Sequence, residues 1–254
     1  MDVIKISAVI ITLNEEMYIQ ECIDSLREVV DEIVVVDSFS TDKTEEICKN
    51  SGVKFLQHKW EGYGKQKNWG NAQAAHDYIL SLDADERLSD NLKEAILNIK
   101  KHWQYDVYSF NRLMYFHRRK IKYISYPDCQ LRLFDRRKTQ WNENRVHEGL
   151  IIDREVTVKH IKKDIIHYNF QNIHDHIEKS NSYSTLFSLH QYERGKKPSI
   201  FKLLFSPTFI FIKNYFFRLG FLDGILGFLI CFNAAYYHYL KYAKLIERYK
   251  TKKS

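Results

Sequence analysis

Short apolar runs alternate with segments of helical periodicity through the first hundred residues, and this alternation restricts the fold more than any other feature. The four runs are 7–13 (SAVIITL), 32–37 (EIVVVD), 53–56 (VKFL) and 78–82 (YILSL). Each is of strand length and mostly apolar. The segments 16–29, 41–50 and 64–75 are expected to be helical. Buried strands joined by helices predict an α/β fold with a parallel sheet covered by helices on both faces.

Three polar clusters follow these runs, at the carboxyl ends of the predicted strands. They are 12–15 (TLNE), 37–42 (DSFSTD) and 83–86 (DADE). Ligands of parallel α/β sheets bind outside the carboxyl ends of the strands, so the three clusters are expected to lie along one edge. This convergence favours a binding site over a set of unrelated solvated turns.

The third cluster places Asp83, Asp85 and Glu86 within four residues. Like charges this close repel one another, so either water solvates them or a positive group lies among them. One interpretation is a solvated turn before a helix that Ser89 caps. The other is a metal site, because strand alternation directs Asp83 and Asp85 to the same side and Mg²⁺ or Mn²⁺ prefers oxygen ligands. We favour the metal site.

Two further groups of side chains could bind a nucleotide. Asp37 could accept hydrogen bonds from a ribose or a base; alternatively, the segment 40–42 simply caps a helix. In GYGKQKNWG, Lys65, Lys67 and Asn68 could offer donors and positive charge to a diphosphate. Their alternative role is a solvated helix face, and these residues by themselves leave the choice open.

Positive charge is concentrated at the C-terminal end. Residues 196–254 contain eleven Lys or Arg and two acids, so the net charge of +7 leaves −2 on the first 195 residues. The same region is rich in Phe and Tyr, and its longest uncharged run, 224–240, has 17 residues. A spanning helix needs about 20 apolar residues, so we expect this region to lie in the membrane interface. The alternative is a helical subdomain packed on the core or on a second copy. The aliphatic runs between its aromatic residues argue against nucleic-acid binding.

The cysteines and the N-terminal segment bear on the compartment. Cys22, Cys48, Cys129 and Cys231 are far apart and form no CxxC pair. This spacing argues against a zinc site or a disulfide framework and suits a reducing cytoplasm. The first residues lack the basic and apolar regions of a secretory signal. We therefore expect a cytoplasmic protein that is peripheral on the inner face of the cell membrane.

Several segments together resemble the inverting family 2 glycosyltransferases. They are SAVIITLNEE, DEIVVVDSFSTDKTEEICKNSGVKF, EGYGKQKNW and LSLDADERLS, followed by YPDCQLRLFDRR, RVHEGL, HIEKSNSYS and GFLDGILG. Within the family they are most similar to the bacterial enzymes that assemble lipopolysaccharide core or related surface glycans. The resemblance implies a GT-A fold, which is Rossmann-like with a mostly parallel sheet. It also implies a nucleotide-diphosphate sugar donor, with UDP favoured, and Mg²⁺ or Mn²⁺ at the DxD motif.

The resemblance also implies roles for individual residues. The implied donor-binding residues are Thr12, Leu13, Asn14, Glu15, Asp37, Lys65, Lys67, Asn68, Asp83 and Ala84. Among these, Asp37 would contact the uridine or its ribose. Asp85 would be the main metal ligand, with Asp83 as a second ligand nearer the ribose. The sequence departs from many relatives at Phe39, where a small residue is common.

An inverting transfer needs a general base that takes the proton from the acceptor hydroxyl. Two carboxylates beyond the DxD motif qualify, Asp128 in SYPDCQLRLF and Glu148 in RVHEGL. Asp128 lies in a predicted loop, where Pro-Asp is also a common turn pair, and Glu148 adjoins His147, so that pair could instead bind metal or the acceptor. We favour Asp128. Arg132 and Arg145 could neutralise phosphate or an anionic acceptor.

These expectations combine into one predicted function. The chain would be a hexosyltransferase that moves a sugar to a hydroxyl of a lipid-linked glycan at the membrane surface, with a homo-oligomer left open. Its glycosyltransferase domain would be 1–195, divided into a nucleotide-sugar half (1–100) and an acceptor half (101–195), before a membrane-associating region at 196–254. One alternative is a nucleotidyltransferase, but TLNEEMY lacks the glycine-rich loop that such an enzyme would need. Another is a catalytically inactive, membrane-attached protein that binds sugar nucleotides or acts as a scaffold.

Overall fold

The computed structural model describes residues 3–116, 118–124, 126–143, 148–170 and 172–251, with the backbone alone at 169 and 170. The chain forms two compact units. The first unit comprises Met1–Leu113 and Pro127–Tyr168, and the second comprises Met114–Tyr126 and Asn169–Ser254. The predicted division at residue 195 concerns function rather than compactness and stays a prediction.

Four parallel strands form one half of the sheet in the first unit. They are β1 (Ile6–Thr12), β2 (Glu32–Asp37), β3 (Lys54–Gln57) and β4 (Tyr78–Asp83), in the order β3-β2-β1-β4. The register pairs Thr12 with Asp37 and Ile11 with Asp83, so three strands end side by side. The predicted parallel sheet is confirmed, and each predicted strand end lies within one residue of the observed end.

Helices connect these strands as predicted. They are α1 (Ile19–Leu26), α2 (Thr44–Asn50), α3 (Tyr63–Gln73) and, after the polar cluster, α4 (Asp90–Lys101). The first two begin three residues later than expected, because the polar residues before them form loops. Ser89 does occupy the N-cap position of α4. Its hydroxyl, however, donates to the carbonyl of Asp164 at 2.7 Å instead of capping the helix.

The remaining strands extend the same sheet with antiparallel pairs. They are β5 (Glu86–Leu88), β6 (Val107–Phe116), β7 (Arg119–Lys120), β8 (Asp128–Asp135) and β9 (Val158–Phe170). The complete order is β3-β2-β1-β4-β8-β6-β9-β5, with β7 on β6. Between residues 105 and 167 the segments YDVYSFNRLMYF, QLRLFDRR and VTVKHI are strand-like in sequence, and β6, β8 and β9 confirm this prediction. The strand β5 was not predicted, because a three-residue strand that carries two charges has no recognisable apolar period.

Side chains of the sheet point alternately into two apolar layers, as expected for strands buried on both faces. On β1, Ile6 and Ala8 pack in the layer of α1, α2 and α4, whereas Val9 packs in the layer that includes Trp69 of α3. Helices therefore cover both faces, and the polar ends of the strands are left at the carboxyl edge.

The second unit is mainly helical. It contains α5 (Ile173–Glu193), α6 (Ile200–Ile212), a π-helical turn (Lys213–Phe217), a 3₁₀ turn (Gly220–Asp223) and α7 (Gly224–Thr251). The amphipathic pattern of residues 173–189 predicts a helix, which α5 confirms and extends to residue 193. A small core of Phe116, Ile121, Ile124, Ile230 and Cys231 joins α7 to the segment 114–126.

Two helical segments of this unit, Ile200–Phe217 and Gly220–Thr251, are long and apolar enough to cross a membrane by length and composition. They differ in packing. Of the most apolar 18 residues in the first segment, none is buried. Of the most apolar 18 residues in the second segment, 33% are buried. The aromatic helices expected at the C-terminal end are thus present, and the first is largely uncovered within its unit.

We predict that Gly227→Ala destabilises the second unit by about 1–3 kcal/mol, because overpacking a buried position has this cost. An added Cβ would lie 2.0 Å from the carbonyl oxygen of Gly220 and 2.9 Å from Cβ of Asp223. The measurement is the urea midpoint followed by circular dichroism. Gly149→Ala is the control, since its added Cβ would meet nothing closer than 3.8 Å. Equal midpoints for the two variants would contradict this packing.

Candidate active site

The loops after β1 and β2 are bonded to each other along the carboxyl edge. Asn14 adopts φ 55°, its N–H donates to Ser40 Oγ at 2.8 Å, and its Oδ1 accepts from the Thr41 N–H at 2.8 Å. Two more backbone N–H groups continue the pattern, Glu15 to Thr44 Oγ1 and Glu16 to Asp42 Oδ2. Hydrogen bonds therefore join the predicted residues of the first two clusters, 12–15 and 37–42, and we call these two joined loops the ledge.

Asp37 is fully buried beneath this ledge. Its carboxylate accepts from the N–H and the hydroxyl of Ser40 and from Gln57 Nε2 at 3.3 Å. The structure thus shows Asp37 organising the loop, and its predicted contact with a nucleotide stays a prediction. Capping also occurs here, since Asp42 accepts from the Thr44 N–H at 3.0 Å.

Apolar side chains stand at the rim of the ledge. Leu13 is 50% exposed and Phe39 is 55% exposed. Phe39 adopts φ 65°, the left-handed region in which a bulky residue is strained. This backbone conformation explains why a residue without a bulky side chain suits the position better.

The carboxylates of the DADE cluster are neutralised by protein cations. Arg132 on β8 places Nη2 at 2.9 Å from Asp83 Oδ2 and at 2.6 Å from Glu86 Oε1. Lys67 on α3 places Nζ at 3.1 Å from Asp83 Oδ1. Both cations are about 98% buried. The positive groups that the sequence requires among these carboxylates are therefore side chains from two distant segments.

Glu86 is a structural member of this cluster. It is 1% exposed, and its Oε2 accepts from the Asp83 N–H at 3.1 Å, which holds the turn between the two residues. Ala84 lies inside that turn and is 3% exposed. Arg112 also approaches Glu86 Oε1, at 3.5 Å. The buried carboxylate of Glu86 thus holds the turn of the DxD motif in place.

Burial by itself would raise the pKa of Asp83, but Arg132 and then Lys67 outweigh it and hold the pKa well below its ordinary value. Burial would likewise lower the pKa of Arg132, whereas Asp83 and Glu86 raise it above its ordinary value. Because the pKa of Asp83 is lower in the folded than in the unfolded chain, its ion pairs stabilise the fold at neutral pH. This contribution is lost as the pH falls below about 4.

Asp85 has a different environment from Asp83. Its Oδ2 lies 3.2 Å from Nε2 of His167 on β9, and its side chain remains 16% exposed. In the part of the chain that the structure describes, neither Lys nor Arg forms an ion pair with Asp85. His167 was not among the predicted site residues, because the sequence shows it only as a single histidine in a strand-like segment. The antiparallel pairing of β5 with β9 brings it to the site from 82 residues away.

Asp85 and His167 fit a divalent cation that is shared with a substrate. Among the described residues no three His, Cys, Asp or Glu side chains are grouped to hold a metal alone. Mg²⁺ is commonly held by one or two carboxylates, with substrate phosphates and water as the other ligands. Each oxygen of Asp83 already lies within 3.1 Å of a cation, so its predicted metal role stays a prediction.

The two candidate bases occupy different environments. Glu148 Oε1 lies 3.7 Å from Lys67 Nζ, next to Asp83, and its side chain is 27% exposed. Two nitrogens of Arg112, Nε and Nη2, lie 2.8 and 2.7 Å from Asp128 Oδ2. The other oxygen, Asp128 Oδ1, accepts from Gln130 Nε2 at 2.8 Å. The structure thus brings Glu148 to the DxD motif and ties both oxygens of Asp128 to neighbours.

The segment that carries Glu148 docks on α3. Asn68 donates to the Trp141 carbonyl at 2.9 Å and accepts from the Trp141 N–H at 3.0 Å, so its amide is engaged by backbone. The predicted contact of Asn68 with the nucleotide-sugar donor stays a prediction. Lys65 lies 4.0 Å from Glu143, and the ring of Trp141 lies under Lys67 at 4.6 Å. Arg145 and His147 lie outside the described residues. Arg132 is 2% exposed and paired with Asp83 and Glu86, and its predicted contact with phosphate or an anionic acceptor stays a prediction.

Comparisons with known proteins give the family of the chain. The model of the family "Glycosyl transferase family 2" matches residues 7–161. The lipopolysaccharide core biosynthesis glycosyltransferase LpsC of Rhizobium meliloti is 33% identical over 97% of this chain and 94% of its own. An uncharacterized glycosyltransferase of Rickettsia bellii is 31% identical over 96% of this chain and 86% of its own. S. aureus TarS, crystallised with UDP, is 17% identical, with a TM-score of 0.47 over 98% of this chain and 92% of that chain.

We predict that Arg132→Met lowers the free energy of unfolding by about 3–5 kcal/mol, because Glu86 then remains buried without its main partner. Arg132→Lys, which keeps the charge, is expected to lose less. Urea unfolding at neutral pH measures both. The matched control is Arg27→Met, which removes the ion pair with Asp24 between side chains that are 47% and 54% exposed and is expected to cost less than about 1 kcal/mol. A similar cost for the two methionine variants would contradict the network.

Proposed function

Because the chain belongs to the family 2 glycosyltransferases, we propose that it transfers a sugar from a nucleoside-diphosphate sugar to a hydroxyl of a lipid-linked glycan. The transferase class follows from the family. UDP as the nucleotide and a hexose as the sugar are the finer parts of the proposal. The glycan acceptor is suggested by the printed function of the R. meliloti relative, lipopolysaccharide core biosynthesis.

The excess of negative charge at the carboxyl edge is the observation that carries this proposal. Among the described residues, ion pairs connect three cations, Lys67, Arg112 and Arg132, with four carboxylates, Asp83, Glu86, Asp128 and Glu148, and the same polar cluster adds Asp85, which pairs with His167. With His167 neutral, the formal charge is −2. A diphosphate would be repelled from such a site unless a cation bound with it. The charge thus supports a divalent metal shared between protein and donor.

Asp85 and His167 would hold this Mg²⁺ or Mn²⁺. When bound, the ion would neutralise charge that develops on the leaving diphosphate. The protein's own residues perform the remaining tasks. In the ledge, residues 12–15 and the buried Asp37 would orient the nucleotide. Glu86 keeps the DxD turn in place. Lys67 balances the charge of Asp83 next to the reacting groups.

We favour Glu148 over Asp128 as the general base. A base must reach the acceptor hydroxyl, and Asp128 is already held by three contacts, two from Arg112 to Oδ2 and one from Gln130 to Oδ1. Glu148 is partly exposed and lies in the ion-pair cluster of Asp83 and Lys67. In the proposed step Glu148 takes the hydroxyl proton while that oxygen bonds to the anomeric carbon. The bond from this carbon to the diphosphate breaks, and the nucleoside diphosphate leaves.

A lipid-linked acceptor places the reaction at a bilayer. We therefore propose that the enzyme is peripheral on the cytoplasmic face of the cell membrane. The uncovered apolar helix α6 supports this placement. The homo-oligomer that the sequence analysis left open remains a prediction.

Nucleotide release from UDP-, GDP- and CMP-sugars tests the donor and the metal together. We expect slow release from one UDP-sugar, loss of release in EDTA and recovery with Mn²⁺ or Mg²⁺. Asp85→Asn should lower the rate at least about 100-fold, as removal of one electrostatic group at a reacting centre commonly does. Asp90→Asn is the control, because that side chain is 97% exposed. Silence across the panel, with no nucleotide binding by calorimetry, would favour the inactive scaffold.

The choice of base is tested by two isosteric variants. We expect Glu148→Gln to lower kcat by about 10²–10⁴-fold with donor binding retained, because only proton removal is lost. Asp128→Asn should lower kcat less and lower the urea midpoint, since Arg112 loses a two-point partner. The measurement is steady-state kinetics with calorimetric donor binding. The reverse ranking of the two kcat values would identify Asp128 as the base.

A further inference from the structure

The helix α6 is highly apolar but has no buried residue. Nine of its 13 residues are Ile, Leu or Phe. Six of them stand exposed by 41–69%: Ile200, Phe201, Leu204, Phe205, Phe209 and Ile212. Monomeric soluble proteins rarely expose a contiguous apolar patch of this kind, and such patches mark interaction surfaces. The unpartnered side of α6 therefore requires an occupant.

The exposed residues occupy one half of the helix. At 100° per residue the six apolar side chains fall within 180° of the circumference. The less exposed residues 203, 206, 207 and 210 occupy the other half, and there Ser206 bonds His238 of α7 at 2.7 Å. The fifth less exposed residue, Phe211, lies near the edge of the apolar half and packs against Phe228 of α7. We call the half formed by Ile200, Phe201, Leu204, Phe205, Phe209 and Ile212 the α6 face.

A stripe on α7 continues this face. Ile225, Phe228, Phe232, Tyr236 and Tyr239 are 38–66% exposed and recur every three or four residues, which places them on one side of α7. The ring of Phe228 lies 5.9 Å from that of Phe211 on α6. The apolar surface therefore extends over two packed helices within the second unit.

The charges around the α6 face identify its occupant. The segment 194–222 contains six Lys or Arg and no acid. Lys202 and Lys213 are exposed and, at 100° per residue, lie just beyond one edge of the apolar half. The next acid, Asp223, accepts two backbone N–H groups, of Lys122 and Tyr123. An apolar face edged by uncompensated cations complements a bilayer with anionic headgroups, whereas a second copy would set like charges against each other.

We propose that the α6 face lies in the plane of an anionic bilayer, with its Phe and Ile side chains in the acyl boundary and Lys202 and Lys213 at the headgroups. The inference deepens the membrane placement of the proposed function and rests on it. A spanning orientation is less favourable, because the two lysines are 11 residues, or about 16 Å, apart along the helix. At least one would enter the hydrocarbon, at a substantial free-energy cost.

The test is co-sedimentation of the full chain with vesicles of phosphatidylcholine alone or of equimolar phosphatidylcholine and phosphatidylglycerol. We expect binding to the anionic vesicles. The double variant Phe201→Glu and Phe205→Glu should weaken it at least tenfold. Lys202→Ala and Lys213→Ala should each weaken it about fivefold. The matched control changes Leu186 and Leu189 of α5 to Glu, since these are exposed but lie outside the α6 face. Circular dichroism checks that each variant is folded.

Three results would overturn the proposal. The first is equal binding by the Phe variant and the α5 control. The second is an absence of vesicle binding, together with a dimer by light scattering that the Phe variant dissociates. The third is wild-type protein that resists alkaline carbonate extraction, as a spanning helix would. Nucleotide release from the sugar donor is measured separately, without vesicles. Vesicle binding without any nucleotide release would contradict the proposed transferase but not the proposed membrane contact of the α6 face.

Discussion

Arg132 is the residue on which the geometry of the carboxyl edge depends. It lies buried between Asp83 and Glu86, and Glu86 in turn holds the Asp83 N–H. Two carboxylates this close would otherwise repel each other in a medium that screens charge poorly. Removal of Arg132 would therefore disturb the DxD turn together with the fold. Among the described residues neither Lys nor Arg pairs with Asp85, whose partner is His167.

Antiparallel additions to a parallel sheet make this arrangement possible. The strand β8 pairs with β4, which brings Arg132 beside Asp83, and β9 pairs with β5, which brings His167 beside Asp85. The loop between β8 and β9 docks on α3 through Asn68 and Trp141. The parallel half thus provides the edge and Lys67, and the antiparallel half provides Arg112, Arg132, His167 and the candidate base. Neither half contains the site alone.

Local patterns were sufficient to predict the elements but not the partners of charged residues. The convergence of Asp37 and Asp83 followed from strand ends in a parallel sheet, and it is observed in the register. By contrast, no local pattern predicted that Asn68 bonds the backbone of Trp141, 73 residues away. Nor did one predict that Arg132 is buried between two carboxylates. A charged residue in a sequence does not reveal whether its partner is a substrate or the protein.

The sequence by itself determined the α/β fold, the edge at which the polar clusters meet and the apolar, basic character of the C-terminal helices. These properties follow from periodicity and composition, which act over a few residues. Only the tertiary structure decided that Glu86 is buried, that His167 joins Asp85 and that Glu148 shares Lys67 with Asp83 while Asp128 pairs with Arg112. These outcomes depend on strand pairing between distant segments, and the free energy of an ion pair depends on burial that no local pattern encodes.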